Sequence, residues 1–178
     1  MRPSVIWFTG LPSSGKSTLA TALGVRFVEA GISFCCLDGD EIRKTISRDL
    51  GFGQADRVEQ VRRVYRLAAE HLQEGRHVIV SMVSPHRLIR REARLALRSF
   101  VEVYVNCPLE SCERRDIKGL YLRARKGEIK EFTGIDSVYE EPESPEVMVR
   151  TDQNDVQSCL NSIWKFLQER NSDKPSKF

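Results

Sequence analysis

A glycine-rich segment near the start of the chain has the residue types and spacing of a loop that holds phosphate groups. Residues 10–17 read Gly-Leu-Pro-Ser-Ser-Gly-Lys-Ser and match the pattern G-x-x-x-x-G-K-S. In such a loop, backbone N–H groups at a helix N-terminus surround the phosphates of a nucleoside triphosphate. Lys16 is predicted to neutralise the β- and γ-phosphate oxygens, and the Ser17 hydroxyl to bind the Mg²⁺ ion that bridges them.

The predicted nucleotide-binding residues cover this whole loop and the residue that follows it. They are Gly10, Leu11, Pro12, Ser13, Ser14, Gly15, Lys16, Ser17 and Thr18. We expect ATP with Mg²⁺ as the bound species. The chain contains no N-K-x-D segment of the kind with which GTPases read guanine, and its 178 residues are few for a motor ATPase. A small phosphotransferase remains as the class of protein.

A second group of chemically suggestive residues lies where the second predicted strand ends. Asp38 and Asp40 flank Gly39, and Arg43 follows Asp40 by about one helical turn. Phosphoryl transfer to a hydroxyl needs a carboxylate that orients or deprotonates the nucleophile and a cation that holds the acceptor's own anion. Asp40 and Arg43 can fill these roles. A turn followed by a capped helix is the alternative use of the same residues.

Short apolar segments bounded by turn residues alternate with longer amphipathic segments along the chain. This alternation predicts an α/β fold with a parallel sheet. Predicted strands cover residues 5–9, 33–37, 77–81, 101–105 and 147–149, and predicted helices cover residues 16–30, 57–74, 86–98 and 156–168. The phosphate loop therefore joins the first strand to the first helix, which is the structural context that its motif requires.

A basic and glycine-containing segment follows the fourth predicted strand. Residues 114–130 contain seven Lys or Arg side chains and two acidic ones. Residues 118–145 have few apolar side chains, and we predict a long loop there with one helical turn. Loops of this length in compact domains often act as lids, and we expect a lid over about residues 115–145. An ordinary solvated charged stretch is the alternative.

Length and composition exclude several classes of protein. The 178 residues predict one domain over residues 1–170 and a polar tail over residues 171–178. A hydrophobic fraction of 40% argues against disorder, and a net charge of +3 is too small to imply nucleic-acid binding. We expect no membrane span and no signal peptide, hence a cytoplasmic protein. Five cysteines without C-x-x-C spacing predict reduced, mostly buried thiols.

Further segments resemble one family of small kinases, the adenylyl-sulfate kinases, over residues 6–169. Besides the phosphate loop, the resemblance rests on these segments: Leu37-Asp38-Gly39-Asp40 with Arg43, Asp49-Leu50-Gly51-Phe52, Asp56-Arg57, Arg62-Arg63, Ser84-Pro85, Pro108-Leu109, Cys112-Glu113, and the run from Arg115 to Tyr139-Glu140. Enzymes of this family phosphorylate the 3′-hydroxyl of adenosine 5′-phosphosulfate (APS) with MgATP. The resemblance implies a three-layer P-loop fold with helices on both faces of the sheet, and it suggests a homodimer.

The resemblance also implies roles for individual residues. Asp40 would be the catalytic carboxylate, and Arg43 and Arg57 would hold the sulfate or phosphate of the acceptor. Phe52 and Phe132 would enclose the acceptor's adenine, although core positions are the alternative for both rings. The remaining residues predicted to bind the acceptor are Asp38, Gln60, Val83, Ser84, Pro85 and Lys118, and Arg115 is added to the ATP-binding set.

The chain departs from the family pattern mainly around the acceptor site. Gln60 stands in place of Asn, Met82-Val83 in place of an aromatic-aliphatic pair, His86 in place of Tyr or Phe, and Pro12-Ser13 in place of Ser-Gly. Ser13 is expected to cost little, and His86 is expected to be a pocket-wall or helix-start residue. The longer Gln60 side chain displaces an amide by about one bond length, enough to disturb a contact with a nucleotide.

These departures leave two alternatives to an APS kinase. The first is a related kinase that acts on another nucleotide conjugate, such as cytidine diphosphoramidate. The second is a nucleotide-binding regulatory module without catalysis, which would be expected to have lost Lys16, Ser17 or Asp40. All three residues are present.

Overall fold

The computed structural model describes residues 1–172 and is built around a five-stranded sheet. The strands are β1 (Val5–Thr9), β2 (Phe34–Asp38), β3 (His77–Ser81), β4 (Phe100–Asn106) and β5 (Val147–Arg150). The helices are α1 (Lys16–Glu29), α2 (Gly39–Lys44), α3 (Gln54–Gln73), α4 (Arg87–Ala96), α5 (Leu109–Arg115), α6 (Leu120–Arg125) and α7 (Val156–Ser172). The sheet order is β2-β3-β1-β4-β5, and every strand pair is parallel.

Helices cover both faces of the sheet because the central strand is apolar on both sides. Ile6 and Phe8 of β1 pack with α1 and α7, whereas Val5 and Trp7 pack with α3 and α4. Successive side chains of a strand point to opposite faces, so a fully buried parallel strand reads as a continuous apolar run. The predicted three-layer architecture is confirmed.

The strand register brings the carboxyl ends of three strands together. Asp38, the last residue of β2, lies beside Ser81, the last residue of β3, and Ser81 lies beside Phe8 of β1. In open parallel sheets, ligands bind in the crevice at this edge. The phosphate loop leaves β1 at the same edge, so the fold places the loop next to the Asp38 turn.

The helix boundaries differ from the sequence predictions mainly where tertiary contacts decide them. Helix α5 was not predicted, because helices of about seven residues are not stable alone. Helix α2 is the capped helix that was the alternative use of Asp38 and Asp40, since the Asp38 side chain caps it. Helix α3 begins at Gln54 rather than residue 57. Helix α7 continues to Ser172, so the predicted polar tail is helical over its first two residues, and its remainder lies outside the described residues.

The segment predicted to act as a lid, residues 115–145, is called the lid segment below, and its one short helix agrees with the predicted loop with one helical turn. It contains α6, and Tyr121, Ala124 and Phe132 pack with Cys112 in a separate buried cluster. The Asp116 carboxylate accepts hydrogen bonds from the backbone N–H groups of Tyr121 and Leu122, both at 3.0 Å. The few apolar residues of this segment pack with Cys107 and Cys112, which precede it, so its composition alone did not predict this buried cluster.

His86 and the five cysteines can be compared with their predicted positions. His86 precedes α4 directly, which confirms its placement at a helix start. Cys107, Cys112 and Cys159 are buried free thiols, Cys35 is half-buried and Cys36 is exposed. Among residues 1–172, the structure contains no helix that is both long and apolar enough to cross a membrane.

Candidate active site

The phosphate loop turns sharply between β1 and α1. Gly10 has a φ of +154°, and a Cβ atom there would lie 2.5 Å from the carbonyl oxygen of Val105, so only glycine fits. Ser13 also adopts a left-handed conformation, with a φ of +58°. This conformation costs a residue with a side chain roughly 1–2 kcal/mol. The expectation that Ser13 costs little concerns the phosphate chemistry at Gly15 to Ser17, and it stays a prediction.

Lys16 is the buried cation of this loop, with 8% of its surface exposed. Its ammonium group donates hydrogen bonds to the carbonyl oxygens of Gly10 (3.1 Å) and Leu11 (2.7 Å). Burial lowers the pKa of Lys16 to about 8, and the carboxylates of Asp40 and Asp38 partly oppose this shift. A triphosphate in the loop offers the ammonium group a stronger acceptor than these carbonyls.

Ser17 connects the phosphate loop to the end of β2. Its hydroxyl donates to Oδ2 of Asp38 at 2.9 Å and lies 3.2 Å from the hydroxyl of Ser81. The other carboxylate oxygen of Asp38 accepts the backbone N–H of Asp40 at 2.9 Å and caps α2. Hydroxyl and carboxylate oxygens are the ligands that Mg²⁺ prefers, so this group of residues fits that ion.

Gly39 is held from two sides by residues that depart from the family pattern. Met82 packs against it so closely that a Cβ atom on Gly39 would lie 2.9 Å from the Cβ of Met82. The buried amide of Gln60 donates to the Gly39 carbonyl at 2.8 Å. The Gln60 amide nitrogen is thus directed at the backbone between Asp38 and Asp40. A contact between Gln60 and the acceptor stays a prediction.

Arg43 and Arg57, both predicted to bind the acceptor, lie close together. Arg43 donates to the Gly51 carbonyl at 2.5 Å, and its guanidinium carbon lies 4.4 Å from the centre of the Phe52 ring. Arg57 donates to the Phe52 carbonyl (2.7 Å), to the Thr133 hydroxyl (2.6 Å) and to the carbonyl of Glu131. Burial lowers the pKa of both arginines, and repulsion by Arg57 lowers that of Arg43 further. An anion at this position relieves that repulsion.

Arg57 also brings the two predicted adenine-binding rings into one region, because it bonds the backbone of Phe52 and both neighbours of Phe132. Phe52 is 64% exposed, so the alternative of a core position is wrong for it. Phe132 is buried in an apolar cluster, so the alternative of a core position holds for it, and its ring packs edge-on against Tyr121 with centres 5.0 Å apart. The Tyr121 hydroxyl in turn donates to the Pro12 carbonyl at 3.0 Å, which attaches the lid segment to the phosphate loop.

Arg115 lies beside the phosphate loop, where it contacts Thr151 just after the end of β5. It donates to the carbonyl and hydroxyl oxygens of Thr151 (2.6 and 3.2 Å), and the Thr151 hydroxyl donates to the Ser14 carbonyl at 2.7 Å. The predicted ATP-binding residues therefore lie next to one another in the structure. Thr18 follows Ser17 in the first turn of α1, and both side chains are exposed.

Comparison with known proteins shows that the sequence is similar to one family. The family model described as adenylylsulphate kinase matches residues 2–150. An adenylyl-sulfate kinase of Picosynechococcus is 47% identical over 168 residues, which are 94% of this chain and 95% of that protein. The chain belongs to the adenylylsulphate kinase family.

Solved structures of adenylylsulphate kinases share this fold. A Mycobacterium tuberculosis APS kinase in complex with AMPPNP and APS has a TM-score of 0.90 and 40% identity, over 94% of this chain and 98% of that one. A hexameric APS kinase from Thiobacillus denitrificans has a TM-score of 0.72 and 28% identity, over 98% of this chain and 31% of that one. The predicted family and the predicted P-loop kinase fold are confirmed.

In this member of the adenylylsulphate kinase family, residues 83–85 form a turn after β3 in which Val83 is half-buried and Ser84 is buried. The Ser84 hydroxyl accepts the indole N–H of Trp7 at 3.0 Å, and the Val83 carbonyl accepts the Thr9 hydroxyl at 2.7 Å. Pro85 is also buried. The polar groups of the turn are directed into the protein, and contacts of Val83, Ser84 and Pro85 with the acceptor stay predictions.

Sequence reasoning missed three residues that this kinase brings to its site. Ser81 and Thr151 lie at or just after the ends of β3 and β5, and Tyr121 connects the lid segment to the phosphate loop. The carboxyl-end rule for parallel strands could have found the first two, because each follows an apolar run. Nothing in the local pattern around Tyr121 distinguishes it from other lid residues.

Proposed function

We propose that this kinase transfers the γ-phosphoryl group of ATP to the 3′-hydroxyl of APS, which gives 3′-phosphoadenosine 5′-phosphosulfate and ADP. One observation carries the proposal: the hydrogen bond from Ser17 to Asp38 joins the phosphate loop to the turn that presents Asp40. A donor phosphate and a carboxylate for the acceptor hydroxyl thus share one crevice. The substrates held by the Mycobacterium tuberculosis APS kinase support the same assignment.

On the donor side, the loop N–H groups and Lys16 bind the β- and γ-phosphates, and Arg115 contributes a cation beside the loop. Ser17 and, beside it, Asp38 hold Mg²⁺ when the ion is bound. Mg²⁺ supplies positive charge that neutralises the phosphate oxygens. Lys16 faces the charge that develops between the β- and γ-phosphates, and such preorganised electrostatics carry most of phosphoryl-transfer catalysis.

On the acceptor side, Asp40 orients the 3′-hydroxyl and accepts its proton. Arg43 and Arg57 bind the sulfate, because both are partly buried cations without a carboxylate among the hydrogen-bond partners described for them. Phe52 and Phe132 enclose the adenine. Lys118 reaches Asp40 from the lid segment, which excludes water when both nucleotides are bound.

We also propose that the enzyme acts in sulfate assimilation in the cytoplasm, where ATP is available, and that it forms a homodimer. Its partners are then small nucleotides and a second copy of the chain. Analytical ultracentrifugation with and without ADP tests the oligomeric state.

The test of the function is a panel assay. The protein is incubated with MgATP and APS, cytidine diphosphoramidate or simple nucleoside monophosphates, and ADP release is followed while the product is identified by mass spectrometry. The Asp40→Asn protein serves as the matched control for contaminating kinases. We expect ADP release with APS and a product heavier by one phosphoryl group. ADP release with another acceptor only would overturn the assignment of APS.

A further inference from the structure

Arg90 of α4 is a buried cation that joins three separate segments of the chain, and it is only 2% exposed. Its Nε donates to the Glu102 carboxylate on β4 at 2.8 Å. One terminal nitrogen donates to the Ser84 carbonyl at 2.7 Å, and the other donates to the Glu140 carbonyl in the lid segment at 2.6 Å. The fixed fork of a guanidinium group holds acceptors in set directions, so these three segments share one geometry.

The Ser84 turn needs such support because its backbone is strained. Ser84 has a φ of +39°, in a region that residues with side chains avoid. Its hydroxyl accepts the Trp7 indole N–H and donates to the Thr9 hydroxyl oxygen at 3.2 Å. Its carbonyl is held by Arg90. The turn is thus fixed from β1 on one side and from α4 on the other.

The end of the lid segment is attached to the same turn. The Tyr139 hydroxyl lies 2.9 Å from the Thr9 hydroxyl, and Thr9 donates to the Val83 carbonyl. The Glu140 N–H donates to the Pro85 carbonyl at 2.9 Å, and the Arg90 guanidinium carbon lies 5.6 Å from the centre of the Tyr139 ring. Burial raises the pKa of Tyr139, which keeps its hydroxyl protonated and able to donate. The Glu140 end of the lid segment is therefore attached to the turn at residues 83–85.

We propose that Arg90 is a positioning residue for the acceptor: it holds residues 83–85 and the Glu140 end of the lid segment in the geometry that the acceptor requires. This inference rests on the proposed function, because it assumes that these segments surround the acceptor. Arg90 touches no residue of the phosphate loop among its described hydrogen bonds. ATP binding should therefore be independent of it.

The test compares Arg90→Gln and Arg90→Lys with Arg91→Gln, which removes the exposed neighbouring arginine of the same helix. Glu102 retains Arg94 at 3.3 Å, so the Arg90 variants do not leave this carboxylate without a cation. We expect the KM for the acceptor to rise about tenfold or more in Arg90→Gln, since small displacements of positioning groups cost up to about 100-fold. Arg90→Lys is expected to show the same rise in the KM for the acceptor, because one ammonium group cannot reach all three hydrogen-bond acceptors of Arg90.

The binding of ADP, measured by calorimetry, should stay within about twofold of the wild-type value, and Arg91→Gln should behave as wild type. Amide hydrogen exchange over residues 83–86 and 134–141 should become faster in Arg90→Gln. An unchanged KM for the acceptor would overturn the proposal. So would a parallel loss of acceptor and ADP binding, because that indicates a role in stability only.

Two further measurements keep the proposal testable. If Arg90→Gln does not fold, Tyr139→Phe is used instead, because it removes the contact with Thr9 without removing a buried charge. This variant should raise the KM for the acceptor and make amide exchange faster over residues 134–141. Unchanged values in Tyr139→Phe would count against the proposal. If wild-type protein phosphorylates no acceptor, the proposed function fails, and exchange in Arg90→Gln then decides whether Arg90 holds these segments. Faster exchange confined to residues 83–86 and 134–141 supports that role, whereas equal exchange or faster exchange throughout the protein contradicts it.

Discussion

Lys118 of the lid segment donates a hydrogen bond to Oδ2 of Asp40, 78 residues earlier in the chain. Both side chains are 61% exposed, so water screens the pair and its contribution to stability is small. A weak contact of this kind is easily exchanged for contacts with a substrate. The lid segment therefore reaches the proposed catalytic carboxylate without being locked onto it.

Replacing Lys16 with alanine should abolish transfer and leave the fold intact. The ammonium group faces the charge that develops on the phosphates, and contacts of this kind are worth about 100-fold or more in kcat. Lys16 is buried and its pKa is lowered by that burial, so removal of the charge should not lower the melting temperature greatly. Lys126→Ala, at an exposed lid position, is the matched control. A kcat above about a tenth of wild type would contradict the assigned role.

Asp40→Asn should lower kcat by about 10²–10⁴-fold and change ATP affinity little, because the carboxylate acts on the acceptor hydroxyl. Steady-state kinetics together with nucleotide titration separate the two effects. Asp38→Asn is the comparison, since Asp38 bonds both Ser17 and the Asp40 N–H. If ATP affinity and rate fell in step for Asp40→Asn, the acceptor role would pass to Asp38.

Nucleotide affinity should fall as pH rises above about 8. Burial lowers the pKa of Lys16 from 10.5 to about 8 in the free protein, and a bound phosphate favours the ammonium form. Below this pKa the lysine is already charged and affinity is constant. Above it, binding requires uptake of a proton, and affinity decreases by up to about tenfold per pH unit. ADP titrations from about pH 7 to 9.5 measure this. Lys16→Met should bind more weakly and without this pH dependence, and a flat wild-type profile would refute the prediction.

The lid segment should become more protected when ADP and the acceptor bind together. Lys118 and neighbouring arginines gain anionic partners, and Phe132 gains a base to cover. Hydrogen exchange over residues 115–145 should then slow more than with either nucleotide alone, whereas α7 provides an internal reference. Equal exchange in free and doubly liganded protein would mean that ligand binding does not order the segment and that it does not act as a lid.

Gln60→Asn should destabilise the protein, although asparagine is the residue that the family resemblance predicts at this position. The shorter side chain withdraws the amide from the Gly39 carbonyl, which it now reaches at 2.8 Å. Loss of one such buried hydrogen bond costs about 0.5–1.5 kcal/mol, because the Gly39 carbonyl keeps its backbone partner within α2, and urea denaturation resolves this difference. Gln73→Asn, on the exposed last turn of α3, is the control. Equal stability of wild type and Gln60→Asn would show that Gln60 does not support Gly39.

The sequence by itself determined the features that depend on local chemistry. The phosphate loop, the five strands and the four longest helices follow from residue spacing, because neighbouring residues set backbone hydrogen bonding and apolar periodicity. The carboxylates of Asp38 and Asp40 were recognisable for the same reason: they directly follow an apolar strand.

Only the tertiary structure decided which side chains meet. The direction of the Gln60 amide, the attachment of Tyr121 to Pro12 and the three bonds of Arg90 all join segments that are distant in sequence or differ in secondary structure. The lid segment contributes to a buried cluster that its polar composition hides. Such contacts depend on strand register and on the packing of helices over the sheet. No local pattern encodes these relationships, because each is set by the simultaneous burial of many side chains.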